Sequence, residues 1–290
     1  MSSRASRVSS ATLLQGKPLA DRIEARSRER VAALRARGVT ARLAVVSVGA
    51  DASANAYLGR LTARGRRIGV PVDDVALRRD ASTHDVVATL AQLSGDARTH
   101  GILLLTPLPP ALEDARVVEH IAREKDVEGM NPINVGLLAA GRPRFIPSTA
   151  EAVIELLRFY DIALAGAHAV VVGRSMVVGR PASLLLLQHD ATVTVAHSKT
   201  PDLPGLTRDA DLVVVAVGRA GFIRGEMVKS GATIIDAGIN VTPRGIVGDA
   251  DTESVSLVAG ALSPVPGGLG AVTTELLLRN VVSAAEQSET

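Results

Sequence analysis

Apolar residues in this chain occur in two patterns. Short unbroken runs alternate with longer stretches in which apolar positions recur every three or four residues. The runs are RLAVVSV (42–48), GILLL (101–105), HAVVVG (168–173), ATVTVAH (191–197), DLVVVAVG (211–218) and ATIIDAG (232–238). Runs of this length, rich in Val and Ile, read as strands of a parallel sheet, with RLAVVSV and GILLL as buried ones. Between them the helical period dominates. Residues 18–37 place Leu19, Ile23, Val31 and Leu34 on one face and charges on another. A turn over Gly49 to Ala54 leads into a helix from about Asn55 to Gly69. Ser82 is placed to cap a helix over 82–93. STAEAVIELLRFY (148–160) predicts a helix that joins two domains, and a last helix runs from Thr274 to about Ala285. Strands alternating with helices predict an α/β protein. The first α/β unit runs to about residue 135, and the four later strands form a doubly wound, Rossmann-like parallel sheet.

Composition narrows the class. With 290 residues and 47% hydrophobic content, the chain can bury two cores. Aromatics are only 2%, so those cores must be built from Ala, Val, Leu and Ile. There is no Cys, which excludes disulfides and thiol chemistry. A net charge of +2 and few aromatics argue against a nucleic-acid platform. No apolar run approaches the ~20 residues of a membrane helix. The expectation is a cytoplasmic protein with a disordered tail over residues 1–11. The six histidines form no metal-binding pair, so no metal is expected. The run RGRR (64–67) reads as a solvated helix face, and Asp126 as a loop charge or a helix cap.

The clearest chemical signal is VVVGRSMVVGRP, a strand, a glycine turn bracketed by Gly173 and Gly179, and a helix start whose free N–H groups suit a phosphate. The next strand ends in AHSKT (196–200), without the carboxylate that holds a free ribose hydroxyl in NAD sites. Ser198, Lys199 and Arg174 instead offer donors and positive charge, which suit a 2′-phosphate. The residues therefore point to NADP(H).

These stretches, with ADLVVVAVG, IIDAGIN, VGDAD and PVPGGLGAVT, resemble the nucleotide half of the methylenetetrahydrofolate dehydrogenase/cyclohydrolase family. LLQGKPLA, NAYLGRL, GILLLTPLPP and EKDVEGMNPINVGLL resemble its folate half, in the same order. The resemblance implies two α/β domains around a cleft, a homodimer, NADP as cofactor and a folate-type small-molecule substrate. It assigns 12–147 to a folate-type domain, on which the helix 274–290 packs back, and 148–273 to the NADP-binding domain. It implies a substrate site of Tyr57, Leu104, Leu105, Thr106, Glu128, Pro266, Gly267, Gly268, Leu269 and Gly270. It implies a cofactor site of Gly173, Arg174, Ser175, Val178, Ser198, Lys199, Val217, Gly218, Ile239 and Thr273.

The departures from the family fall at the reactive positions. Its lysine four residues after the tyrosine is Leu61 here. The glutamine of V-Q-L-P-L-P, which orients that lysine, is Leu105, and the second aspartate of K-D-V-D-G is Glu128. Three further changes are Ala271 for the proline of P-G-G-V-G-P-M-T, Ala54 for the serine three before the tyrosine, and Ala150 for the proline of C-T-P. Arg60 neighbours Leu61 but does not share its helix face. The catalytic set therefore reads as Tyr57, Leu61, Leu105 and Glu128, in which Tyr57 can stack on a flat ligand while neither leucine can move a proton. The expectation is an NADP-dependent methylenetetrahydrofolate dehydrogenase with cyclohydrolase activity absent or very weak. Two alternatives stay open: a repurposed NADPH-dependent reductase of a non-folate imine or iminium, and a catalytically inactive NADP-binding paralogue.

Overall fold

The computed structural model describes residues 10–109, 112, 115–243 and 245–289. The chain begins β1 (Thr12–Leu13), α1 (Lys17–Ala36), β2 (Leu43–Val48), α2 (Ala52–Ile68), β3 (Val72–Leu77), α3 (Thr83–Gly95), β4 (Gly101–Leu104), α4 (Pro132–Ala139) and α5 (Ser148–Phe159). It continues β5 (His168–Val172), α6 (Gly179–Gln188), β6 (Thr192–Ala196), α7 (Leu203–Asp209), β7 (Leu212–Val215), β8 (Thr233–Asp236), β9 (Asn240–Thr242), β10 (Gly245–Val247), α8 (Thr252–Ser256), β11 (Ala261–Leu262) and α9 (Leu269–Gln287). No described helix is long and apolar enough to cross a membrane.

The chain divides into two compact units. One comprises Ala20–Ser148 with the segment from Thr273 onward. Its sheet has the order β3-β2-β4 and is parallel throughout, with Leu43 opposite both Val72 and Gly101. The central strand β2 is buried along its whole length, as its unbroken apolar run requires. The edge strand β3 was not legible as a run because Asp73 and Asp74 interrupt it. At the edge those acids face solvent, and Asp73 pairs with Arg42 at 3.0 Å. Helix α2 starts at Ala52, three residues before the expected Asn55. Asp51 caps it, its Oδ1 accepting from the Ala54 N–H at 2.8 Å. Ser82 and Asp85 form a capping box at the start of α3. Leu34, Leu43, Val45 and Leu61 share one core with Leu277 and Val281 of α9.

The basic run RGRR is not a purely solvated face. Arg64 reaches Glu275 at 3.0 Å, and Arg67 reaches Glu24 at 3.0 Å. Both acids are almost fully buried. Helical spacing alone does not show that buried carboxylates on α1 and α9 stand opposite these guanidiniums.

The other unit comprises the described residues up to Leu19 and Thr149–Val272. Its six strands run in the order β1-β11-β8-β7-β5-β6, all parallel, and β9 and β10 form a separate antiparallel hairpin. The sheet extends the four expected strands by two. Thr12–Leu13 pairs with Ala261–Leu262, so residues 12–19, expected in the folate-type domain, lie with this unit instead. A two-residue strand has no period to read, which is why the pairing escaped the sequence. Ala11, expected in a disordered tail, is 7% exposed, and its N–H donates to Ser256 O at 2.9 Å. The rest of that expected tail, except Ser10, lies outside the described residues.

Candidate active site

In the unit built on β2, one turn of α2 carries Tyr57, Arg60 and Leu61. Tyr57 is half-buried and packs at the margin of the apolar core. Burial pushes its phenol above the usual tyrosine range; the Glu128 carboxylate adds to the rise, and Arg60 opposes it. The group is a neutral donor at physiological pH. The Arg60 guanidinium lies 5.9 Å from the centre of the Tyr57 ring. It does not share the face of Leu61, but three residues on from Tyr57 it does share the face of the ring.

Leu61 is 0% exposed and belongs to the core itself. Leu105, just past the end of β4, packs against the same core, and Leu104 is half-buried beside it. The structure therefore joins Tyr57, Leu61 and Leu105 in one apolar cluster. Thr106 is exposed at the start of a cis Thr106–Pro107 bond. No side chain at 61 or 105 can transfer a proton.

Glu128 sits on a loop held from both sides. Asn280 Nδ2 donates to Val127 O at 3.0 Å. Gly129 has φ +64°, and a Cβ there would come within 2.4 Å of Phe145 O, so only glycine fits. Asp126 is 1% exposed and accepts from the Asn131 N–H at 2.7 Å and Asn134 Nδ2 at 2.8 Å. It is thus a buried anchor for the start of α4 rather than a loop charge. Burial raises its carboxyl pKa, and those hydrogen bonds pull it back down. The Glu128 carboxylate accepts from Ser148, the hydroxyl at 2.8 Å and the N–H at 3.3 Å. The sequence assigned Ser148 no role, and its only signal was its place beside the Ala150 departure.

In the other unit, β5 is followed directly by Gly173, with φ +121°. A Cβ there would lie 2.2 Å from Ala216 O, and one at Gly179 would lie 2.2 Å from Gly173 O. Both glycines are thus required by backbone packed on backbone. Ser175 Oγ accepts from the N–H groups of Val178 and Gly179 at 3.2 and 3.4 Å, closing the turn into α6. Arg174, Ser198 and Lys199 are exposed. Neither cation pairs with a carboxylate among the described residues. His197–Thr200 is held as a turn, Thr200 Oγ1 accepting from the His197 N–H at 2.9 Å. Ile239 is 66% exposed, an apolar side chain open to a partner surface or ligand.

Two carboxylates without an assigned role organise the loops after β7 and β8. Asp249 is 0% exposed and accepts from the N–H groups of Val217, Gly218 and Arg219 at 2.6, 2.7 and 2.8 Å, and from Asn240 Nδ2 at 2.8 Å. Asp236 accepts from the N–H groups of Gly238, Asp249 and Ala250. Burial raises its carboxyl pKa; those bonds lower it, and the Asp249 charge raises it. Acids beside glycines in IIDAGIN and VGDAD were the available signal.

The segment 264–270 is partly structural. Gly16 N–H donates to Gly267 O at 2.8 Å, and a Cβ on Gly16 would lie 2.1 Å from Gly268 O. Pro266 and Gly267 are exposed, while Gly268 and Leu269 are buried. Leu269 and Gly270 form the first turn of α9 rather than a loop, and Thr273 is half-buried on the same helix.

Comparison with known proteins is consistent across sequence and structure. Residues 14–128 match the catalytic domain of tetrahydrofolate dehydrogenase/cyclohydrolase, and residues 147–289 match its NAD(P)-binding domain. The bifunctional protein FolD of Nocardia farcinica is 48% identical over 275 residues, covering 94% of this chain and 97% of that protein. The bifunctional FolD enzyme of Campylobacter jejuni superposes with a TM-score of 0.93 at 39% identity, covering 96% of this chain and 99% of that one. The Trypanosoma brucei FolD solved with NADP cofactor and inhibitor gives a TM-score of 0.91 at 32% identity, over 97% of this chain and 99% of that one.

Proposed function

The chain belongs to the tetrahydrofolate dehydrogenase/cyclohydrolase family, and from that premise we propose that it oxidises 5,10-methylenetetrahydrofolate with NADP and hydrolyses the methenyl product very weakly or not at all. The observation that carries the second half is Leu61, 0% exposed inside an apolar core against which Leu105 also packs.

The residues fit the cofactor. Arg174 and Lys199 are exposed without carboxylate partners among the described residues, and β6 ends without the acid of an NAD site. Arg174, Ser198 and Lys199 would hold the 2′-phosphate, and Asp249 keeps Val217 and Gly218 in the conformation that lines the same site. When bound, NADP accepts the hydride that leaves the one-carbon bridge of the substrate, and a methenyl iminium remains. That step needs positioning more than proton transfer. Tyr57 offers a ring to stack on, its neutral hydroxyl offers a donor, and Glu128 offers an acceptor for substrate N–H groups. Water attack on the iminium and ring opening do need a proton carrier, and losing one typically costs ~10²–10⁴-fold in rate. Drift does not readily explain the change, because all but four of the 32 Lys and Arg residues are Arg, yet position 61 is Leu. The family also implies a homodimer, which light scattering on the purified protein would test.

A second reading, reduction of a less polar imine, rests on the half-buried Leu105, which packs against the core that holds Leu61. One assay separates the readings. Purified protein is given methylenetetrahydrofolate and NADP, and NADPH and the methenyl product are followed together. NADPH formation with methenyl product accumulating unhydrolysed supports the proposal. Formyl product appearing at a matching rate sinks the loss of hydrolysis. Neither product, with NADPH still binding, moves the reading to imines.

A further inference from the structure

Ser148 stands at the first position of α5, 5% exposed, and gives both of its donors to one side chain. Its hydroxyl reaches Glu128 Oε1 at 2.8 Å, and its N–H reaches Oε2 at 3.3 Å. We infer that Ser148 is the positioning residue of the ligand-holding carboxylate, a donor that fixes where Glu128 presents its oxygens. This rests on the reading of Glu128 as a substrate-holding group.

Glu128 needs such a device more than an aspartate would. The backbone on either side of it is pinned, by Asn280 on Val127 and by the contact that only glycine allows at 129. The side chain, however, has three rotatable bonds, one more than aspartate, and the carboxylate can sweep more than an ångström. An uncontrolled carboxylate would lose the alignment that tight binding needs, since misplacement by ~1 Å can cost ~10²-fold. Two donors from one buried residue, one to each oxygen, define the position and the plane of the carboxylate together. Each carboxylate oxygen has two acceptor sites, so a bond from Ser148 to each oxygen still leaves room for a ligand N–H. The hydroxyl and the long acid make sense as a pair: the acid reaches Ser148, and the hydroxyl gives it a strong, charge-assisted bond to end on.

The test separates this inference from the reading of the site. In the substrate-free protein, the Glu128 carboxyl carbon is followed by ¹³C NMR, assigned with Glu128→Gln, in the native chain and in Ser148→Ala and Ser148→Thr. Loss of the hydroxyl in Ser148→Ala should shift and broaden the resonance, and Ser148→Thr should restore it. A resonance unmoved in Ser148→Ala overturns the proposal. Steady-state kinetics on methylenetetrahydrofolate then test the consequence. A hydrogen bond to a charged group lost from ground-state binding should raise KM by roughly tenfold or more with kcat nearly held. The pair Glu128→Asp with Ser148→Cys should recover much of the affinity that Glu128→Asp alone loses. If the resonance moves and KM does not, the Ser148–Glu128 pair stands and the substrate-holding role of Glu128 falls. A fall in kcat with KM unchanged would overturn positioning in favour of a direct part in the chemistry.

Discussion

Around their candidate sites the two units arrange polar groups differently, although each also buries a carboxylate on main-chain N–H groups. In the unit with the six-stranded sheet, buried carboxylates are spent on the main chain. Asp249 and Asp236 each accept several N–H groups, which shapes the loops after β7 and β8, and Arg174, Ser198 and Lys199 are exposed with no acid partner among the described residues. In the unit built on β2, the reactive turn has gone the other way. Its helix face is apolar at Leu61, its strand end is apolar at Leu105, and the remaining polar groups are Tyr57 with Arg60 over its ring and Glu128 with Ser148 at its oxygens. The first arrangement offers charge to a ligand. The second offers a half-buried phenol and a half-buried carboxylate beside an apolar core. On the proposed reading, holding a phosphate is kept apart from moving a proton.

The sharpest way to break that contrast is to put the proton carrier back. Leu61→Lys alone should destabilise the protein by about 3 kcal/mol, because the charge would lie buried without a partner. Combined with Leu105→Gln, it should regain stability and raise hydrolysis of methenyltetrahydrofolate by ~10²-fold or more, measured as the rate of methenyl loss. A double variant that folds and gains nothing would show that these leucines are not what separates the two activities.

The next test addresses the other unit. Asp249→Ala leaves three main-chain N–H groups and the Asn240 amide without their acceptor. The expected cost is about 3 kcal/mol, which for a unit of this size is roughly a 6–12 °C fall in Tm. Cofactor affinity should fall with it, whereas Asp73→Ala, at the exposed edge of the β2 sheet, should stay within about 0.5 kcal/mol.

Cofactor choice gives a smaller, more specific effect. Arg174→Ala should weaken NADP binding by roughly 10- to 100-fold, the value of a charge-assisted bond to phosphate, with NAD affinity little changed. Equal losses for both cofactors in calorimetry would remove Arg174 from the 2′-phosphate.

The smallest effect is the alkaline limb of stability. The folded pKa of Tyr57 is raised, so the native state binds its proton more tightly than the unfolded state does. Stability is then fully present below the unfolded value, near pH 10, and declines as pH rises above it, by at most about 1.4 kcal/mol per pH unit. Urea melts between pH 9 and 11 should fall less steeply for Tyr57→Phe than for the native chain. Equal slopes would mean that the phenol is as well solvated folded as unfolded.

Much of this was legible without coordinates, for a reason visible in particular elements. β2, β5 and β7 are unbroken apolar runs because both faces of each are covered, and Ser82 with Asp85 spells its own helix start. The glycine turn at 173–179 lies close together in sequence, so its spacing was readable, and the structure places Arg174 exposed within it. Ser148 and Asp249 could not be read in this way. Their partners stand 20 and about 30 residues away, and nothing local marks a side chain whose task is to bond a distant loop. The same holds for β1, whose two residues find their pairing only at Ala261–Leu262, and for Arg64 and Arg67, whose buried acids lie on other helices.

The sequence by itself therefore determined the α/β class, the order of its main strands, the family resemblance and a leucine at position 61. These follow from local periodicity, turn chemistry and residue type, which depend on neighbours along the chain. Only the tertiary structure decided that Leu61 is sealed in a core, that Arg60 covers the Tyr57 ring, that residues 10–19 join the six-stranded unit, and that Ser148 holds Glu128. Each depends on burial or on a bond between residues brought together by folding, and such contacts leave no period in the sequence.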